Sequence, residues 1–132
     1  MKHPRVLVLS GETLFRSFFD PPRVRRLGRG FDWTRVADRR VTPRLRRLLA
    51  DADALVTTWD SPTFGEELLS LSPRLRLVAH CGGEVKARFA RPLFERLTIA
   101  NAPGPMAPLV AELAVTFLLM AARRVDAYRE AL

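Results

Sequence analysis

His80, Cys81, Gly82, Gly83 and Glu84 stand together and bring an imidazole, a thiol, two glycines and a carboxylate into one short stretch. Adjacent glycines free the backbone to aim several N–H groups at one spot, and such a nest binds a carboxylate or a phosphate. A turn that merely needs left-handed backbone is the plain alternative. His80 could move a proton or donate a hydrogen bond near neutral pH. No second His, Glu or Asp lies at a fixed spacing to make a dyad with it, and a satisfied structural histidine is the competing reading. Cys81 lacks a partner that would activate it as a nucleophile and reads as a small buried residue. Asn101-Ala-Pro-Gly104 precedes a long apolar stretch, whose helix N-terminus would favour an anion; the Pro and Gly also serve simply to punctuate a loop. Asp60 follows an apolar run, as a phospho-acceptor would in a receiver domain. However, Leu9-Ser10-Gly11 lacks the acidic pair that holds Mg²⁺, and no Lys follows the fifth strand. Gly28-Arg29-Gly30 is half a dinucleotide fingerprint and reads as a turn; a complete G-x-G-x-x-G occurs nowhere in the sequence.

The elements that must position these residues alternate. Apolar runs predict strands near residues 6–9, 31–36, 54–58, 75–79 and 97–100. Helical stretches are expected near 12–19, 22–27, 42–50, 66–71 and 91–96, with Thr42-Pro43 as an N-cap followed by proline at the first helical position. Strand–helix alternation repeated five times argues for an α/β fold, a flavodoxin-like doubly wound parallel sheet of order 2-1-3-4-5. Ligands of such sheets sit at the carboxyl ends of the strands. That places interest on Ser10-Gly11, Thr58 to Ser61, His80 to Gly83 and Asn101 to Gly104. Residues 1–104 form this domain. Residues 105–132 form a long crossing helix, running from about Ala107 to the C-terminus. Val110, Leu113, Ala114, Phe117, Leu118 and Ala121 make one stripe, and Leu109, Val115, Leu119, Met120 and Ala122 cover much of the rest. A helix apolar nearly all round demands cover on nearly all sides. No Gly or Pro stop signal precedes Leu132, so the expected cover is further chain or another subunit.

Composition bounds the partners. The 132 residues hold 22 Lys+Arg against 14 Asp+Glu, a net charge of +8. Lys2 and Lys86 are the lysines; such an Arg- and Ala-rich, Lys-poor balance reflects base composition as readily as nucleic-acid binding. The clusters Arg23 to Arg26 and Arg44 to Arg47 read as solvated helix faces. One Cys excludes an internal disulfide and a Cys-rich metal finger, and no metal site is expected. No apolar run is long enough for a membrane span, and Arg5 to Ser10 is too short for the apolar region of a signal peptide, which argues for a cytoplasmic protein with no membrane partner.

From Ala52 to Arg124 the sequence resembles the D-isomer-specific 2-hydroxyacid dehydrogenases. Pro73-Arg-Leu-Arg-Leu-Val78 matches the family's P-x-L-[KR]-x-[IV], and His80-Cys-Gly-Gly-Glu-Val-Lys86 its glycine loop A-G-x-G-V-D. Asn101-Ala-Pro-Gly-Pro-Met-Ala-Pro-Leu-Val-Ala-Glu112 matches N-x-P-G-x-N-x-x-x-V-A-E, and Leu118 to Arg124 the ending of the following helix. Glu84, Lys86 and Met106 depart from the family's second glycine, Asp and Asn. The resemblance implies that the chain is the N-terminal, substrate-binding domain with the first interdomain helix. The NAD-binding domain, with the G-x-G-x-x-G and the catalytic Arg, Glu and His, lies outside it. It further implies that backbone N–H groups of Gly83 and Glu84 hold the substrate carboxylate, that His80 and Trp59 line the substrate side, and that Val110 touches the nicotinamide. The parent would transfer hydride between NAD or NADP and a small 2-keto or 2-hydroxy acid. This part would hold no catalytic residue, bind no cofactor and turn nothing over alone. Its helix over 107–131 would meet the missing domain or a second copy. The rival reading is a stand-alone small-carboxylate-binding or regulatory module that self-associates through that helix. An Arg-rich nucleic-acid binder is a third.

Overall fold

In the computed structural model, which describes residues 3–125, 127 and 128, the chain forms two compact units, Met1–Asn101 and Ala102–Leu132. The first contains β1 (Arg5–Leu9), α1 (Glu12–Phe18), α2 (Pro21–Gly30), β2 (Asp32–Val36), α3 (Pro43–Leu49), β3 (Ala54–Thr57), α4 (Glu67–Leu71), β4 (Leu77–His80), α5 (Leu93–Arg96) and β5 (Thr98–Asn101). The strands form one parallel sheet in the order β2-β1-β3-β4-β5. The fold is therefore the doubly wound α/β arrangement that strand–helix alternation implies. The chain leaves β1 in one direction to reach β2, then reverses to reach β3, β4 and β5. With right-handed crossovers, that reversal puts α1 and α2 on one face and α3, α4 and α5 on the other.

The core is built where the sequence is most apolar. Leu7, Leu9, Leu55 and Val78 from the strands meet Leu45 and Leu49 of α3, Leu68 of α4 and Leu93 of α5. Caps fix two helix starts: Asp20 Oδ1 accepts from Arg23 N at 2.9 Å, and Thr42 Oγ1 accepts from Leu45 N at 3.1 Å. Each cap precedes proline in the first turn, where a missing N–H costs nothing. On the opposite face Phe15 stacks between Phe19 and Trp33 at 5.0 and 5.8 Å, tying α1 to β2. At the amino ends of the strands Asp53 accepts from Arg5 N at 2.8 Å and from the Arg74 guanidinium at 2.8 and 3.1 Å. The backbone N–H of Arg5, then Arg74, holds its carboxyl below the ordinary carboxylate value.

Several boundaries correct the sequence expectation. Gly28 and Gly30 do not mark a turn; α2 continues through both, and the Phe31 N–H closes it on Leu27 O at 3.0 Å. The fourth strand begins at Leu77 rather than Leu75, because Leu75 N bonds back to Ser72 O and closes the turn after α4. The strand then runs one residue further, so that His80 lies in the sheet.

The second unit contains α6 (Ala107–Ala122), with Glu112 as its one charged residue. The expectation of an unbroken helix to the C-terminus is corrected: Arg124 adopts left-handed backbone, φ 49°, just past the Arg123 cap, whose N–H bonds Leu119 O at 3.0 Å. This is the geometry that ends helices. The expected helix at residue 126 and over residues 129–132 lies outside the described residues. A single helix has no core of its own, and Leu109, Leu113, Phe117, Leu118 and Leu119 find no cover within this unit. Among the described residues no helix is long and apolar enough to cross a membrane.

Candidate functional site

The carboxyl ends of β1 and β3 are stitched together by side chains. Asp60, just past β3, accepts from Gly11 N at 3.0 Å through Oδ2 and lies 2.6 Å from Thr58 Oγ1 through Oδ1. Ser61 Oγ donates to Leu9 O at 2.6 Å and accepts from Thr58 N at 2.7 Å. A Cβ at position 11 would stand 2.4 Å from Asp60 Oδ2, so the β1–α1 turn is glycine because a carboxylate occupies the space beside it. Gly11 therefore faces a protein carboxylate, and the Ser10 N–H is spent on Val36 O at 3.0 Å, so neither offers a free donor to an anionic ligand.

The next crevice, between the ends of β3 and β4, is different. His80 is 2% exposed, and its Nδ1 lies 2.9 Å from Thr57 Oγ1, its partner in the register of the two strands. Its Nε2 has no partner among the described residues. The chain turns sharply after it, with Gly82 N donating to His80 O at 2.9 Å. A Cβ on Gly82 would meet His80 Nε2 at 2.6 Å and Trp59 Nε1 at 2.7 Å. No described glycine has positive φ, so what requires glycine here is the close approach of two rings. Trp59 is half-exposed and packs edge-on against Phe18 at 5.4 Å. Burial, and then the neighbouring Arg88, push the His80 pKa below its ordinary value, which leaves the imidazole neutral at physiological pH.

Gly83 and Glu84 complete the loop. Gly83 O accepts from Asn101 Nδ2 at 2.6 Å, which ties the loop to the end of β5. The Glu84 carboxylate is occupied locally: Oε1 accepts from Lys86 N at 2.5 Å and Ala87 N at 3.2 Å. Among the described residues neither Gly83 N nor Glu84 N has an acceptor.

His80, Gly83 and Glu84 lie in one contiguous stretch of the sequence, and folding adds Trp59, whose indole meets the His80 ring over Gly82. Val110 lies in the other unit, on α6. Cys81 is half-buried rather than buried; burial raises its pKa, so it stays a thiol, while its N–H extends the sheet by donating to Thr57 O at 2.8 Å. Sequence reasoning missed Arg88. Its guanidinium bonds Trp59 O, and Ser61 O at 3.3 Å, clamping the loop after β3 to the loop after β4. What places it is the pairing of Phe64 with Phe89, a contact between residues 25 apart that no local pattern announces. Among the described residues no three His, Cys, Asp or Glu side chains gather as a metal site.

No protein-family model and no curated protein matches the chain. Solved structures do. A 2-hydroxyacid dehydrogenase from Ketogulonicigenium vulgare superposes with a TM-score of 0.69 at 19% identity, over 98% of this chain and 39% of that one. A phosphoglycerate oxidoreductase from Vibrio cholerae gives 0.59 at 27% identity, over 98% and 40%. An NADPH-dependent glyoxylate/hydroxypyruvate reductase from Sinorhizobium meliloti, solved with citrate, gives 0.64 at 22% identity, over 91% and 35%. The likeness shows that the chain shares the α/β fold of one part of these dehydrogenase structures. The chain spans only 35–40% of the length of these structures.

Proposed function

We propose that the chain is the substrate-binding, N-terminal part of an NAD(P)-dependent D-2-hydroxyacid dehydrogenase, and that the loop Gly82 to Glu84 holds the carboxylate of a small 2-oxo or 2-hydroxy acid. The observation that carries this is the pair of backbone N–H groups at Gly83 and Glu84 without an acceptor, held by Asn101 at the carboxyl end of β4. Two fixed N–H donors suit a carboxylate and cost no reorganisation when it arrives. Arg88 and Lys86 make the loop's surroundings cationic, while Glu84's own charge is bound to its backbone. The Sinorhizobium reductase solved with citrate and with malonate supports a small acid as the ligand.

The residues of the first unit do not fit a dinucleotide. Asp60 fills the turn after β1, where a pyrophosphate would need free N–H groups, and the fingerprint glycines are lacking. The nicotinamide nucleotide therefore belongs to another part of the parent enzyme. Val110 is proposed to face it on the resemblance alone. The role of this chain is to bind and orient the acid so that hydride can reach its carbonyl carbon.

Calorimetric titration tests this. Glyoxylate is expected to bind saturably, with Kd of about 1 mM or tighter, its methyl ester not at all, and NADH oxidation by the mixture to be undetectable. Binding of the ester as well as the acid, or measurable turnover, contradicts the reading. A second reading, a carboxylate-binding module that pairs through α6, is favoured by that helix's apolar surface all round. Light scattering separates the two: a dimer that survives dilution supports self-association, and a monomer leaves α6 to another domain.

A further inference from the structure

The two rings over Gly82 pose a problem in hydrogen bonding. Thr57 Oγ1 is buried, and among the described residues its one polar partner is His80 Nδ1, at 2.9 Å. A buried hydroxyl with a single partner donates its proton there, since otherwise the O–H is left unsatisfied. Nδ1 is then the acceptor, and the neutral imidazole carries its hydrogen on Nε2. Nε2 is the orphaned buried atom. Trp59 Nε1, the other ring nitrogen that crowds Gly82, is a donor too. Two N–H groups converge above Gly82 and cannot satisfy each other, and it is the missing Cβ that gives the two rings room there.

We infer that His80 Nε2–H and Trp59 Nε1–H together donate to one oxygen of the bound acid, above Gly82. Two donors with no acceptor beside them select an oxygen that only accepts, a carboxylate or keto oxygen, over a hydroxyl that must also give its proton away. Trp59 is 43% exposed, so its indole can swing outward to admit the oxygen while the core stays in place. The loop then offers two pairs of donors: the main-chain N–H groups of Gly83 and Glu84, and the ring N–H groups of His80 and Trp59. This inference rests on the proposed carboxylate site and adds to it the group that reads the acid's second oxygen.

The test uses the whole chain with glyoxylate as probe. Trp59→Phe keeps an aromatic ring against Phe18 and removes the indole N–H with the smaller of its two rings. It is expected to weaken glyoxylate about ten-fold or more, the value of one hydrogen bond to a charged group. In the wild type, the Trp59 indole N–H resonance is expected to move on saturation while that of Trp33 stays, and ¹⁵N spectra of the histidines are expected to show His80 as the Nε2–H tautomer. Unchanged affinity in Trp59→Phe, an unmoved Trp59 resonance at saturation, or His80 in the Nδ1–H form would each overturn the inference and leave carboxylate binding intact. Failure of the wild type to bind glyoxylate at all would remove the carboxylate site and this inference with it.

Discussion

Alanine at position 82 is expected to abolish glyoxylate binding and to destabilise the chain by about 1–3 kcal/mol, the range for forcing extra volume into a packed site. The methyl group would stand 2.6 Å from His80 Nε2, 3.0 Å from His80 Cδ2 and 2.7 Å from Trp59 Nε1. The two neighbours respond differently. Trp59 is half-exposed and can turn outward. His80 cannot follow, because it is buried in the sheet and hydrogen-bonded to Thr57. The remaining clash must be relieved by moving the backbone of residues 81–84, which displaces the N–H groups of Gly83 and Glu84. Denaturant midpoints and glyoxylate titrations read the two effects separately. Gly30→Ala is the control: nothing lies within 4 Å of a Cβ there, so it is expected to leave binding as it was. A Gly82→Ala chain that binds like the wild type would show that the rings do not crowd the loop.

The second large effect is acid sensitivity set by His80. Its ordinary pKa is 6.5, and in the folded chain burial, then Arg88, lower it. Above 6.5 the imidazole is neutral both folded and unfolded, and contributes no pH dependence. Below 6.5 the unfolded chain takes up a proton that the folded chain refuses, so stability falls as the pH drops toward the lowered folded value. The slope cannot exceed about 1.4 kcal/mol per pH unit for one proton. Asp53 acts at more acidic pH: its lowered pKa adds stability above the ordinary carboxylate value of 3.8, lost as the pH falls through the folded one. Melting temperatures are therefore expected to be level above pH 7 and to fall between pH 6.5 and 5. In His80→Phe the fall over that interval is expected to disappear. An equal fall in the variant would assign it elsewhere.

The sheet was legible because its information is local. Val6 to Leu9 and Ala54 to Thr57 are apolar runs that only a strand covered on both faces can use, and Thr42-Pro43 starts a helix by its own chemistry. The site was legible in part, because His80 to Glu84 is contiguous. What was hidden depends on residues brought together by folding. Asp60 reads as a lone acid until it meets Gly11, 49 positions away, and closes the β1 turn to anions. Arg88 reads as one arginine among many until the Phe64–Phe89 pairing sets it over Trp59. Gly28 and Gly30 misled because glycine is tolerated in the last turns of a helix as well as in the turn that follows it.

The central claim is that the loop after β4 captures a carboxylate through its main chain. The most direct measurement is a map of backbone amide resonances during titration with glyoxylate. The amides of Gly83 and Glu84 are expected to move furthest and to saturate together. Those of Arg5 and Asp53, at the opposite ends of the strands, are expected to stay. Largest shifts at any other site, or unmoved Gly83 and Glu84 amides at saturating glyoxylate, would contradict it.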